Sequence, residues 1–214
     1  MIPEQVATLA APGVRLEARV AVPARTVGGV VICHPHPLYG GDMDNHIVVV
    51  VAVACQAAGL ATLRFNFRGV GGSSGIHDEG RGEQADAVAA LDHLATRLPP
   101  GAPLALAGYS FGAVVATAVT ANGRELAGLA LVAPPLAFPG REELRPSAPR
   151  RGPLLVVAGG ADAYCPADAL DRLARRVPGA AVRIIEGADH FFAGTLESLS
   201  DALSGWARQV ATCR

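Results

Sequence analysis

The chain contains no lysine: all 18 of its basic residues are arginine. That excludes every mechanism built on a lysine amine, from Schiff bases and pyridoxal-phosphate linkage to the phosphate-gripping lysine of the P-loop. Charge is scarce as well. Only 17% of the 214 residues are charged and the formal net charge is −1, so there is no basic field to hold a nucleic-acid backbone. Cysteines stand only at Cys33, Cys55, Cys165 and Cys213, and no two share C-x-x-C spacing, which argues against a zinc ribbon or redox pair. The N-terminal Met1-Ile2-Pro3-Glu4 lacks the basic start and apolar stretch of a signal peptide. The longest apolar run, 47–55, falls far short of the roughly 20 residues a membrane span needs. No repeat of 20–50 residues and no low-complexity tract is present. What is abundant is hydrophobic residue, 50% of the chain, enough to bury a large core and to exclude intrinsic disorder. The expectation is one domain over 1–214, cytoplasmic, with reduced thiols and neither a nucleic-acid nor a membrane partner.

The order of elements is repetitive in kind. A weakly alternating stretch at 17–22 pairs with 6–9 across Pro12-Gly13 and reads as a hairpin. The β-branched run 29–33 reads as a strand covered on both faces. Helical and strand patterns then alternate: helix 45–58, strand 61–67, a glycine-rich loop 68–75, helix 83–98, strand 103–109, helix 111–121, strands 126–133 and 154–158, helix 166–177, strand 181–185 and helix 195–210. This alternation predicts an α/β three-layer sandwich, a mostly parallel twisted sheet with helices on both faces. In such sheets chemistry gathers at the carboxyl ends of strands.

Two segments there fit G-x-S-x-G: Gly71-Gly72-Ser73-Ser74-Gly75 and Gly108-Tyr109-Ser110-Phe111-Gly112. A nucleophile elbow needs a strand, a sharp turn with serine at its tip, then a helix. Ser110 has that setting, between an apolar strand and a run of small residues that lets a helix pack closely. Ser73 is followed by Ile76-His77-Asp78-Glu79-Gly80, which does not start a helix, so it reads as part of a turning loop. A serine hydroxyl needs a base, and the base an orienting acid. Downstream of Ser110 the chain holds one histidine, His190. Asp162, just past strand 154–158, is the expected acid. Asp168 lies in the first turn of a helix, where a carboxylate serves the helix dipole, and Asp189 is too near His190 in sequence to face it. The oxyanion needs backbone N–H donors. Phe111 supplies one, and the loop His34-Pro35-His36-Pro37-Leu38-Tyr39-Gly40-Gly41 supplies another. Pro35 and Pro37 have no N–H, which leaves His36 and Leu38. Leu38, Tyr39, Tyr109 and Phe192 are candidates to line a substrate pocket, with core packing as the competing expectation.

Along nearly the whole chain these residues resemble the α/β-hydrolase superfamily, and within it the small bacterial hydrolases without a cap. The resemblance is carried by segments 34–41 with Met43-Asp44-Asn45, by Phe65-Asn66-Phe67-Arg68-Gly69-Val70-Gly71-Gly72-Ser73, by the Ser110 elbow and by Gly187-Ala188-Asp189-His190-Phe191-Phe192. It implies an α/β-hydrolase fold with no substantial cap, a triad of Ser110, Asp162 and His190, and His36 as the second oxyanion donor. It also implies hydrolysis of a small acyl substrate, most simply a short-acyl carboxylic ester, with no cofactor and no metal. Segment 138–152 is the only place for a lid, and a short one. Three other readings compete. The same triad serves an acyltransferase, which a product assay with alcohol acceptors separates. A non-catalytic, ligand-binding member has no need of all three side chains. A metal hydrolase would draw on His34, His36, Asp42, Asp44 and His46, but the prolines restrict that loop and no binuclear spacing is present.

Overall fold

In a computed structural model, residues 2–138, 140, 144 and 152–213 are described. Segment 138–152, where the sequence has room for a lid, lies largely outside them. The chain opens with the antiparallel hairpin β1 (Gln5–Ala11) and β2 (Val14–Ala21), turned at Gly13. It continues through β3 (Gly29–Cys33), α1 (His46–Ala57), β4 (Ala61–Phe65), α2 (Gly82–Ala95), β5 (Leu104–Tyr109) and α3 (Phe111–Ala121). The last elements are β6 (Gly128–Val132), β7 (Leu154–Gly159), α4 (Ala167–Arg176), β8 (Ala180–Ile185) and α5 (Leu196–Ala211). One eight-stranded sheet runs in the order β1-β2-β4-β3-β5-β6-β7-β8. It is antiparallel at β1–β2 and β2–β4 and parallel from there on.

The three layers follow from period-two burial within strands that are apolar throughout. Val31 and Cys33 of β3, Leu129 and Leu131 of β6, and Leu154 and Val156 of β7 face α2, α3 and α4. Their neighbours Val30, Ile32, Ala130, Val132, Leu155 and Val157 face α1 and α5, where Ile47, Val51, Leu203 and Trp206 meet them. Among the described residues no helix is long and apolar enough to cross a membrane.

Strand order then decides where a site can form. From β3 the chain crosses by α1 to β4 on one side, while β5 lies on the other. Helix α1 after β3 covers one face of the sheet and α3 after β5 covers the opposite face. The loops leaving β3 and β5 therefore diverge, and a crevice opens between their carboxyl ends. Ser110 and the 34–41 loop both stand there.

Among the differences from the sequence pattern, two bear on the site. Strand β4 ends at Phe65, two residues earlier than its apolar pattern, because the Phe67 N–H leaves the ladder to donate to Nε2 of His34 at 3.0 Å. A 3₁₀ turn, Pro37–Tyr39, which the sequence reading did not anticipate, forms inside the 34–41 loop.

Candidate active site

Ser110 sits between β5 and α3 with φ +53° and ψ −116°, a conformation that costs a non-glycine residue on the order of 1–3 kcal/mol. The surroundings hold it there. Its N–H donates to Val132 O at 2.9 Å and its own carbonyl accepts from Ala113 N at 2.9 Å. The flanking glycines are required by contact. A Cβ on Gly108 would lie 2.2 Å from Gly112 O, and one on Gly112 would lie 2.3 Å from Cys33 O. Helix α3 thus sits directly on the ends of β5 and β3 and lifts Ser110 to the crevice.

His190 comes to this point from the loop after β8, and Asp162 from the loop after β7. A Cβ on Gly159 would be 2.1 Å from Ala188 O, so only glycine lets those two loops approach. Asp162 Oδ2 lies 2.8 Å from His190 Nδ1, and His190 Nε2 lies 3.1 Å from Ser110 Oγ. The other oxygen of Asp162 accepts from Tyr164 N at 2.8 Å and Cys165 N at 3.1 Å. The carboxylate is thus oriented before it meets the imidazole. We assign the ring proton to Nδ1, which donates to Asp162 and leaves Nε2 to accept from the serine hydroxyl.

The competing carboxylates are engaged elsewhere. Asp168 forms an exposed pair with Arg172 at 2.6 Å, and that guanidinium lowers its pKa. Asp189 Oδ1 accepts from Phe191 N at 3.0 Å and Ala193 N at 3.2 Å, shaping the turn after His190. Ser73 is buried, donates to Asn66 O at 2.6 Å and accepts from Glu17 N at 2.9 Å. It clamps its loop to β2.

On the opposite bank, Phe111 is the first residue of α3, so its N–H has no partner within the helix. His36 has φ −60° and ψ 122°, and its carbonyl accepts from Tyr39 N and Gly41 N at 3.1 and 3.0 Å. Leu38 N–H donates to His36 Nδ1 at 3.2 Å, so of the two loop candidates Leu38 directs its donor into its own turn. The His36 ring packs, tilted by about 50°, at 4.8 Å from both Phe111 and Tyr39 and at 5.0 Å from His77.

Two pocket expectations are corrected. Tyr109 and Phe192 are 2% and 0% exposed and belong to the core under α1 and α5, so neither lines an open site. Tyr109 acts from beneath, where its hydroxyl donates to His190 O at 3.1 Å. Burial pushes its phenol pKa well up, so it stays a donor. Leu38 and Tyr39 are exposed. Sequence reasoning missed Tyr164 and Phe191, whose rings meet that of His190, and Phe138, which stacks on Tyr164.

The histidine-rich loop has an architectural use. His34 is fully buried. Its Nδ1–H donates to Pro35 O at 2.6 Å and its Nε2 accepts from Phe67 N, tying the loops after β3 and β4 together. His46 Nε2 donates to Phe191 O at 3.0 Å and anchors the His190 loop to the start of α1. Asp44 pairs with Arg64, which also binds Glu4 and Met43 O. Among the described residues no group of three or more His, Cys, Asp or Glu is arranged as a metal-donor set. Burial also raises the pKa of the Cys33, Cys55 and Cys165 thiols, that of Cys55 to about 12, so they offer no competing thiolate.

Burial lowers the pKa of His34 to about 4 from 6.5. Between those pH values the unfolded chain binds a proton that the folded chain refuses. Stability is therefore intact above about pH 6.5 and falls as pH drops toward 4, by on the order of 3 kcal/mol. Urea unfolding at several pH values should show this acid loss, and His34→Gln should flatten it. An equal slope in both proteins would contradict the assignment.

An elbow serine in hydrogen-bonded sequence with a histidine and an aspartate, at the switch point of a parallel sheet, is the arrangement of a serine hydrolase of the α/β class. The chain belongs to the alpha/beta hydrolase domain family, whose pattern matches residues 30–213. It is 34% identical over 202 residues to an uncharacterised protein of Rickettsia prowazekii, covering 91% of this chain and 85% of that one. An alpha-beta serine hydrolase homologue from Coxiella burnetii superposes with a TM-score of 0.84 at 33% identity, over 96% and 97% of the two chains. A serine hydrolase without lid from Xanthomonas campestris gives 0.87 at 30% identity, over 100% and 99%.

Proposed function

We propose that the chain acts as a single hydrolase domain, a carboxylesterase that forms an acyl-enzyme on Ser110 and acts on small, short-acyl esters. The observation that carries this reading is the continuous chain of hydrogen bonds from Asp162 through His190 to Ser110. His190 Nε2 takes the hydroxyl proton as Ser110 Oγ attacks the ester carbonyl. Asp162 holds the imidazole and stabilises its cation. The N–H groups of Phe111 and His36 receive the oxyanion, the histidine returns its proton to the departing alcohol, and water releases the acyl group by the same route. No cofactor or metal takes part in any of these steps. Prolonged chelation should therefore leave activity intact. Activity lost to chelator and restored by zinc or manganese would move the site to the histidine loop.

The acyl preference rests on the shortness of segment 138–152, the only stretch with room for a lid. Without a substantial lid there is little apolar surface to bury a long acyl chain, where each methylene is worth at most about 0.8 kcal/mol. Across p-nitrophenyl esters, kcat/KM is expected to be highest for acetate to butyrate. A steady climb through a twelve-carbon acyl chain would overturn the short-acyl assignment.

A further inference from the structure

The chain has six phenylalanines, three tyrosines and one tryptophan. Phe65, Phe67, Tyr109, Phe111, Phe192 and Trp206 are buried in the core. The other four are Tyr39 (86% exposed), Phe138 (48%), Tyr164 (43%) and Phe191 (55%), and ring contacts tie them to His36 or, directly or through Tyr164, to His190. None of them belongs to the buried core.

They are divided unequally. Tyr39 stands on the oxyanion bank, behind His36 and Phe111. The other three stand on the His190 bank. Tyr164 meets the imidazole edge-to-face at 4.8 Å and 71°, and Phe191 does so at 5.5 Å and 88°. Phe138 lies parallel to Tyr164, at 5.7 Å and 12°.

The mechanism gives the two banks different ligands. The carbonyl oxygen must point at the Phe111 and His36 N–H groups. The departing oxygen must come within hydrogen-bond reach of His190 Nε2 to collect its proton. Whatever that oxygen carries therefore falls among Tyr164, Phe191 and Phe138. Ring faces and edges set at these angles match the offset and edge-to-face contacts of a planar aromatic ring, which a saturated ring of similar size cannot make. Resting on the esterase reading above, we infer that the natural substrates are esters of aromatic alcohols, with the alcohol's ring seated on the Tyr164–Phe138–Phe191 bank.

The test compares 2-phenylethyl acetate with 2-cyclohexylethyl acetate. They share the acyl group, and two methylenes insulate the leaving oxygen from the ring. The phenyl ester should be favoured in kcat/KM by about fivefold to tenfold. Tyr164→Leu and Phe138→Leu should each reduce the ratio, whereas Tyr39→Leu should change both rates alike and keep it. Moving the ring to the acid side, in methyl 3-phenylpropionate against methyl 3-cyclohexylpropionate, should give no such preference. Equal rates for the two acetates, a ratio insensitive to Tyr164→Leu, or the same preference on the acid side would overturn the inference. Labelling of Ser110 by a fluorophosphonate, measured on the same proteins, separates the two levels. A labelled enzyme without aromatic preference refutes the alcohol site alone, while an unlabelled wild-type enzyme refutes the hydrolase reading and the inference with it.

Discussion

Ser110→Ala is expected to lower kcat/KM for ester hydrolysis by about 10⁴ or more and to abolish labelling by a fluorophosphonate. The size of the effect follows from what the hydroxyl alone does. Binding and oxyanion donors stay in place in the variant, but no covalent intermediate can form. His190→Ala should suppress activity and labelling nearly as far, because Oγ then has no base within reach. Asp162→Asn should slow both, since an amide in place of the carboxylate can turn the imidazole to the wrong tautomer. Ser73 is the internal control. It lies in the second G-x-S-x-G segment, but its hydroxyl is spent on Asn66 O and Glu17 N. Ser73→Ala should leave the chemistry intact while losing about 1–3 kcal/mol of stability, as buried partners are left unsatisfied. An inactive Ser73→Ala beside an active Ser110→Ala would show the nucleophile to be misassigned.

Asp86→Ala should destabilise the fold by about 3–5 kcal/mol, read as a lower urea midpoint. Asp86 on α2 is fully buried. Its carboxylate accepts from Arg68 Nε and Nη2, the latter at 2.7 Å, and from the Arg68 backbone N–H at 3.0 Å. Removing it leaves a largely buried guanidinium without its counter-charge. The double variant Arg68→Met, Asp86→Leu should be less damaged than Asp86→Ala, because no unpaired charge is left behind. The effect should also reach the site. Arg68 opens the loop that carries His77 against His36 and Phe111. The base of that loop is further held by buried Glu83, which accepts from Asp78 N and Gly80 N at 2.8 Å each. Loss of kcat should therefore accompany loss of stability. A fully stable Asp86→Ala would mean that the pair carries none of this loop's order.

The sequence alone was sufficient for whatever depends on pattern within one element. Runs such as Val30-Val31-Ile32 identified strands buried on both faces, and their alternation with helices implied the layered sheet. Strand–turn–helix context separated Ser110 from Ser73, chain order singled out His190, and a place at a strand's carboxyl end singled out Asp162, three side chains that lie in one line of hydrogen bonds. Strand β4 was legible as far as Phe65; the two further residues of its apolar pattern leave the strand, and the Phe67 N–H bonds to His34, 33 residues away. Strand order, and with it the crevice between β3 and β5, needed the tertiary structure, because no local period records which strand lies beside which. So did the direction of every loop side chain. Phe191 and Phe192 are neighbours of identical composition, yet Phe192, at φ +55°, turns into the core while Phe191 faces the crevice. Tyr109, on β5, follows the strand's period of two with Ala105 and Ala107 into the core beneath the site, whereas Tyr164, on a loop with no such period, stands beside His190. Outside helices and strands, side-chain direction has no repeat to follow. It is decided by contacts between distant parts of the chain, such as His46 with Phe191 O and Gly159 with Ala188, which exist only once the sheet has brought those loops together.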